Sequence, residues 1–412
     1  MKKVFIYAED CSRRLLDAQR INIYFTKNGY KVINTPKFAN YIVYLGCGLF
    51  NEDTEYEFQK IKKLQKYGGE LIIAGCLPDI ETERLNKVFN GKIISTKKLD
   101  KIDSLFPNHK VKFRDIDDTN ICYQNNFEFG TFGLYEAFRK IWLMNKIQVG
   151  INRHVLKYLL GEPAYSHLSK SNYHVRVSWG CSGNCTYCAG RKAVGPLQSK
   201  PLNLCLQEFR NGLKEGYKDY FISGEDPGSY GLDIGSNFPK LLDEITKIPG
   251  EYTINIRGIN PRWAVKYIDD LEKILKRHRI KSLGVPIQSG SARILKLMNR
   301  FSDIEKMKDA CIRLKKSDPN LSLNTEIILG FPTETDEDFK QSLNFVKEVN
   351  FVSGRINRFS CKTGTKVESI SPKVSQKEMS KRFKFARKYL KNEGYKVLQP
   401  TIQYCAFYKH HV

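Results

Sequence analysis

The sequence predicts an α/β chain, with an open parallel α/β domain at the amino end and a longer parallel sheet curled as a partial barrel after it. Three observations predict this. Short apolar runs alternate with amphipathic stretches of helical length over the first 105 residues. The same alternation resumes at residue 172 and repeats six times, as β/α units in a row do when they build one parallel sheet. Across the 412 residues, 41% are hydrophobic, enough for ordinary buried cores in two or three domains.

In chain order, VFIYAED (4–10) reads as a buried strand, DAQRINIYFTKNGY as a helix and YIVYLG (41–46) as a second strand. NEDTEYEFQKIKKLQKYGG follows as an amphipathic helix and ELIIAG (70–75) as a third strand. Cys11, Cys47 and Cys76 each follow directly on one of these strands. The carboxyl ends of the strands form the ligand crevice of an open α/β sheet, so three thiols from distant segments are expected to converge at one edge. A single cysteine there would suit ordinary burial; three at equivalent positions suggest a three-thiolate site.

FGLYEAFRKIWLMNKIQVGINRHVLKYLLG reads as helical and PAYSHLSKSNYH as a linker, so 106–170 is expected to bridge two domains. From there, strands are expected at HVRVSW (174–179), DYFISGE (219–225), EYTINIRG (251–258), KSLGVPIQ (281–288), SLNTEIILGF (322–331) and RINRFS (355–360). Each is followed by a helical segment, the last being SQKEMSKRFKFARKYL. The expected domains are 1–105, a bridge at 106–170, a barrel at 171–396 and a short tail at 397–412.

The end of the first barrel strand carries Cys181, Cys185 and Cys188 in VRVSWGCSGNCTYCAGRK. Active sites on such barrels form at the carboxyl ends of strands. Three clustered thiolates can hold three corners of a four-iron four-sulfur cluster and leave the fourth iron open to a chelating substrate. Structural zinc is the competing reading, but it wants four closed ligands, and His174 and Cys205 sit at no usual offset for completing the set.

The formal charge of +24 favours a polyanionic partner such as RNA, although basic faces are commonly just solvated and genome bias also enriches lysine. Basic residues are most concentrated in KRFKFARKYLKNEGYK (381–396), interleaved with Phe383, Phe385 and Tyr389, whose rings alternatively pack a last helix onto the body. The amino end shows no charged-then-apolar leader, and no apolar run approaches the roughly 18 residues of a membrane span. A cytoplasmic location is expected, with the 11 cysteines as metal ligands and free thiols rather than disulfides. Cys122, Cys205, Cys311, Cys361 and Cys405 receive no role, nor do the seven histidines.

Beyond GCSGNCTYC, the runs GEDPGSYGLDIG (224–235), PIQSGSARILKLMNR (286–300), TEIILGFPTETDEDF (325–339) and FSCKTGT (359–365) follow one another in the order of a known family's barrel segments. On these runs the chain resembles the radical S-adenosylmethionine (SAM) methylthiotransferases over nearly all its length. Cys11, Cys47 and Cys76 match that family's auxiliary-cluster domain. The resemblance implies a flavodoxin-like first domain and a partial (β/α)6 radical SAM barrel. Three departures stand out. Only a short tail is expected where the family places a TRAM β-barrel, Val194-Gly195 stands where Arg-Gly is usual, and LGC at 45–47 replaces Asn-Thr-Cys.

The resemblance further implies two [4Fe-4S] clusters, one on Cys181, Cys185 and Cys188 and one on Cys11, Cys47 and Cys76, together with SAM. SAM contacts are expected from Tyr187, from Gly224, Glu225 and Asp226, from Gln288 and Ser289, from Glu326, and from the backbone around Phe359. No side chain is assigned acid or base work, because the cofactors carry the hard step. The implied activity is insertion of a methylthio group at an unactivated C–H, on a tRNA adenosine near the anticodon. A peptide or protein side chain is an alternative substrate. A further alternative limits the amino-terminal cluster to electron transfer, and a third makes the chain a nucleic-acid-binding protein with structural metals. A reductant of flavodoxin or ferredoxin type is the other implied partner.

Overall fold

The computed structural model describes residues 1–8, 11–49, 51–124, 127, 171–398 and 404–409. Most of the expected bridge, 106–170, lies outside the described residues. The described chain divides into two compact units, 1–174 with 189–195 and 175–188 with 196–412, each taken by itself below.

The first unit is built on a five-stranded parallel sheet: β1 (Lys3–Ala8), β2 (Lys31–Ile33), β3 (Tyr41–Gly46), β4 (Glu70–Gly75) and β5 (Lys92–Ile93), in the order β2-β1-β3-β4-β5. That is the flavodoxin-like order. The central strands are buried on both faces, as expected when helices cover both sides. Val4, Ile6, Val43, Leu45, Ile72 and Ala74 pack against the helix Ser12–Lys27 side. Phe5, Ile42, Tyr44, Leu71 and Ile73 pack with Phe58, Ile61 and Leu64 of the helix Asn51–Leu64. Registers place Ala8 opposite Leu45 and Gly46 opposite Gly75, so β1, β3 and β4 end at one level. The short helix Gly190–Val194 also belongs to this unit, with Ala189 and Ala193 against Ile80.

The second unit holds the end of β6 (Asn172–Arg176) from Val175 onward, then β7 (Ser178–Trp179), β8 (Gln198–Ser199), β9 (Asp219–Ser223), β10 (Thr253–Ile256), β11 (Ile280–Gly284), β12 (Ser322–Leu329), β13 (Ser353–Arg358), β14 (Lys396–Leu398) and β15 (Tyr404–Tyr408). Its large sheet runs β14-β15-β13-β12-β11-β10-β9-β6. The six strands expected for a partial barrel are all present. The pairs from β9 to β13 are parallel, and helices such as Phe238–Thr246, Ile304–Ser317 and Asp336–Val349 lie between the strands in sequence.

Two details differ from the sequence expectation. The first strand breaks at Val177, whose N–H donates to the Ser223 carbonyl (2.9 Å), and its end splits off as β7 to pair antiparallel with β8. Residues read as a tail instead include β15, antiparallel to both β13 and β14, which extends the sheet beyond its last parallel strand.

Sheet faces in this unit are chemically distinct. Along β12, Leu323, Thr325, Ile327 and Leu329 are buried, while Ser322, Asn324 and Glu326 on the other face are half-buried. That second face is polar across several strands: Ser282 Oγ donates to Asn255 Oδ1 (2.8 Å), and Ser353 Oγ to Asn324 Oδ1 (2.5 Å). Unpaired, such groups would be costly under a sheet; here they satisfy one another and leave a hydrogen-bonding lining.

Candidate iron–sulfur and cofactor sites

Cys181 begins the loop directly after β7, with Cys181 and Cys185 half-buried and Cys188 exposed. The backbone wraps the sulfurs closely. Gly183 N–H donates to Cys181 Sγ (3.2 Å), and a Cβ at Gly183 would lie 3.3 Å from Cys181 Sγ and 4.0 Å from Cys185 Sγ. Burial pushes the Cys181 thiol up to about 11, with the Asp226 carboxylate and the Cys188 and Cys185 sulfurs adding to it against the Gly183 hydrogen bond. The three sulfurs therefore share one neighbourhood, where a negative charge needs a counter-ion and a metal would supply it.

Contacts far along the sequence pin this loop. Thr186 N–H and Oγ1 donate to the carbonyls of Met298 (3.1 Å) and Leu297 (2.8 Å), and Asn299 Nδ2 donates to the Asn184 carbonyl (2.8 Å). Arg300 reaches in from the same segment. Its Nη1 lies 3.6 Å from Cys185 Sγ and 3.5 Å from the Tyr187 hydroxyl, while Nη2 donates to the Pro286 carbonyl (2.8 Å) beyond β11. Arg262 Nη2 donates to Ser182 Oγ (2.7 Å). The strand-end carboxylate Asp226 receives Trp263 Nε1–H (2.9 Å) and the Asn260 N–H (3.4 Å), with Arg262 Nη2 at 3.6 Å.

The residues expected to contact SAM come from the carboxyl ends of successive strands. Gly224, after β9, packs against Ser178: a Cβ there would fall 2.7 Å from its Oγ, so the close approach requires glycine. Glu225 is half-buried beside it, and Asp226 is committed to the Trp263 and Arg262 contacts. Gln288 sits after β11 with φ +67°, unusual for a residue with a side chain, and is held by Gln288 N–H to the Glu326 carbonyl and Ile328 N–H to the Gln288 carbonyl (both 2.8 Å). Its neighbour Ser289 is fully buried, with Oγ 3.4 Å from Ser342 Oγ and accepting from Ser291 N–H (3.2 Å), so its hydroxyl serves the loop itself. Glu326 lies half-buried on the polar face of β12, opposite Arg355 in register. Tyr187 and Phe359 are linked through Phe331, whose ring meets theirs edge-on at 6.4 and 5.4 Å.

In the first unit, Cys11 precedes the helix Ser12–Lys27, Cys47 follows β3 and Cys76 opens the short helix Leu77–Ile80. All three are half-buried. Two glycines make the approach possible: a Cβ at Gly46 would meet Glu57 Oε2 at 2.8 Å, and Gly75, at φ +89°, would meet the Gly46 carbonyl at 2.5 Å. Glu57 Oε2 accepts from Cys47 N–H (2.8 Å) and the Tyr44 hydroxyl (2.7 Å), and Lys60, equally buried, lies 3.4 Å from its other oxygen. Arg14 Nη1 points at Cys76 Sγ from 3.7 Å. Burial raises the Cys47 thiol strongly, helped by Glu57 and by the Cys76 and Cys11 sulfurs. The three thiols thus act on one another at the strand-end edge.

Among the described residues no group of three His, Cys, Asp or Glu side chains is drawn together for a single metal ion. A four-iron cluster is wider than one ion, and three thiols around a common space, with basic side chains turned to their sulfurs, suit it at both places. Arg300, Arg262, Trp263 and Arg14 are the working residues that sequence reading missed. Their one signal was a basic or aromatic side chain in a helical segment for Arg300 and in the connections beside strands or helices for the other three, which is too common to single them out.

Comparison with known proteins agrees with this division. The model of the radical SAM superfamily matches residues 175–346, and that of the uncharacterized protein family UPF0004 matches 3–95. A probable threonylcarbamoyladenosine tRNA methylthiotransferase of Pyrococcus horikoshii is 28% identical over 368 residues, 89% of this chain and 78% of the relative. The threonylcarbamoyladenosine tRNA methylthiotransferase MtaB of Thermotoga maritima is 36% identical over 229 residues, 53% of this chain and 52% of its own. The human threonylcarbamoyladenosine tRNA methylthiotransferase is 26% identical over 93% of this chain and 62% of its own. Among solved structures, the radical SAM methyltransferase TsrM of Kitasatospora setae, with cobalamin and a [4Fe-4S] cluster bound, superposes with a TM-score of 0.60 at 10% identity, covering 89% of this chain and 77% of that one. At that identity the likeness speaks for the fold alone.

Proposed function

Because this chain belongs to the radical SAM methylthiotransferase family, an enzyme family that uses SAM and [4Fe-4S] clusters, we propose that it inserts a methylthio group at an unactivated C–H of a tRNA adenosine near the anticodon. One observation carries the reading: in each unit three thiols act on one another at the carboxyl ends of strands. Cys181, Cys185 and Cys188 would hold one cluster, and Cys11, Cys47 and Cys76 a second that carries the sulfur. Clusters held there would supply the electron for SAM cleavage and the sulfur to be transferred.

The residues of the chain position and shield. Arg300 sets the Cys185 sulfur and the Tyr187 ring in one orientation. Asp226, through Arg262, steadies the loop at Ser182. Gly224 keeps the end of β9 narrow, and Gln288 and Glu326, joined by a backbone hydrogen bond, offer polar contacts to a methionine or ribose moiety. Phe359, half-buried and braced edge-on by the buried Phe331 ring, provides an apolar wall for an adenine. Electrons would come from a flavodoxin- or ferredoxin-type donor. No helix among the described residues is long and apolar enough to cross a membrane.

The test is mass analysis of nucleosides from hydrolysed tRNA of a host with and without the gene. Loss of a methylthio-adenosine derivative on deletion is expected, with return on complementation. An unchanged nucleoside profile, with a methylthio mark lost from a peptide or protein instead, would overturn the tRNA assignment.

A further inference from the structure

The helix Gln376–Asn392 carries seven basic residues and one acidic one. It packs through Met379, Arg382, Phe383, Ala386 and Leu390, which are buried. Lys377, Lys381, Lys384, Lys388 and Lys391 are all exposed. At 3.6 residues per turn these five fall within an arc of about 80°, centred opposite the buried face, and form a ridge roughly 20 Å long.

What separates this ridge from an ordinary solvated face is the lack of interleaved acids. On the helix Ile268–Leu275 the exposed Lys273 has Asp269 and Asp270 for company, and on Ile304–Ser317 Lys308 pairs with Glu305 at 3.2 Å. On Asp336–Val349, Lys340 and Lys347 alternate with Glu337 and Glu348. Along the ridge, Lys381 is 3.9 Å from Glu378, and among the described residues Lys377, Lys384, Lys388 and Lys391 make no ion pair. Five like charges on one stripe repel one another and are stabilised by a polyanion. Phe385, 42% exposed, borders the stripe with its ring 6.1 Å from Tyr389, an apolar flank beside the cations.

We propose that this lysine ridge is a docking surface for the phosphate backbone of the RNA substrate, an inference that rests on the tRNA reading above. The ridge reads no base. It supplies sequence-independent affinity, and phosphate contacts of this kind fix register and orientation.

The test compares three full-length proteins for tRNA binding at several salt concentrations: wild type, the quadruple variant Lys377→Ala, Lys384→Ala, Lys388→Ala, Lys391→Ala, and the control Lys273→Ala, Lys276→Ala. Alanine keeps helix propensity, and circular dichroism checks that the fold persists. Wild type and control are expected to bind alike. The quadruple variant should bind at least about 10-fold more weakly near 0.1 M salt, with the slope of log K against log salt reduced by about 3 for four lost phosphate contacts. Quadruple-variant binding within twofold of wild type, or an equal loss in the control, overturns the inference while the substrate reading stands. Failure of the substrate reading shows differently, as a wild-type protein without affinity for tRNA, and removes both.

Discussion

Asp338 ties the loop that carries Gln288 to the helix behind it, and its removal is calculable. It accepts from Ser291 Oγ (2.6 Å), Thr335 N–H (2.9 Å) and Thr335 Oγ1 (2.7 Å), and it contacts the Arg293 guanidinium. Burial alone would raise its pKa, but Arg293, Ser291 and Thr335 outweigh it and hold the carboxyl at about 2, against an ordinary 3.8. A depression of that size corresponds to about 2 kcal/mol of folding stability. The contribution is fully present above the unfolded value and is lost as pH falls toward the folded one, so it is constant from pH 7 to pH 5. Asp338→Asn should therefore lower the unfolding free energy of the barrel unit by about 2 kcal/mol at both pH 7 and pH 5 in urea titrations. The gap to wild type should narrow only below about pH 4. Because Ser291, in the loop that carries Gln288, loses its anchor, KM for SAM should rise as well. A variant within about 0.5 kcal/mol of wild type at pH 7, or a gap that changes between pH 7 and pH 5, would refute the reasoning.

Three further outcomes are expected. Alanine at Cys11, Cys47 and Cys76 should leave reductive SAM cleavage intact and abolish methylthio product, whereas alanine at Cys181, Cys185 and Cys188 should abolish both, as read by chromatography of the nucleoside products. Arg300→Met removes a cation beside Cys185 and should make the midpoint potential of the reconstituted cluster more negative by some tens of millivolts in a spectroscopic redox titration; an unchanged potential would deny that contact. Glu57→Gln leaves Lys60 buried without its carboxylate and should destabilise the first unit by about 3 kcal/mol in thermal melts.

Much of the fold was legible because the strands are short, apolar and bounded. YIVYLG and ELIIAG coincide with β3 and β4 residue for residue. The strands β2 and β5 were missed, since runs of three and two residues carry no periodicity and owe their pairing to β1 and β4. The hairpin of β14 and β15 was read as a tail for a similar reason: its pairing to β13 is set by partners some fifty residues away. Cysteine positions were legible because strand ends fix where a thiol goes. Side-chain commitments were not. Asp226 and Ser289 were expected to contact a ligand; their protein partners Trp263, 37 residues from one, and Ser342, 53 from the other, are announced by no local pattern. The polar face of β10 to β13 was foreshadowed only by Asn255, Asn324 and Arg355 interrupting apolar runs.

Iron and acid-labile sulfide, counted per chain on anaerobically purified protein, test the paired three-thiolate cages most directly. Two cages require about eight irons in the wild type and about four after alanine replaces Cys11, Cys47 and Cys76. Stoichiometric zinc, or an iron content that the triple replacement leaves unchanged, would contradict them.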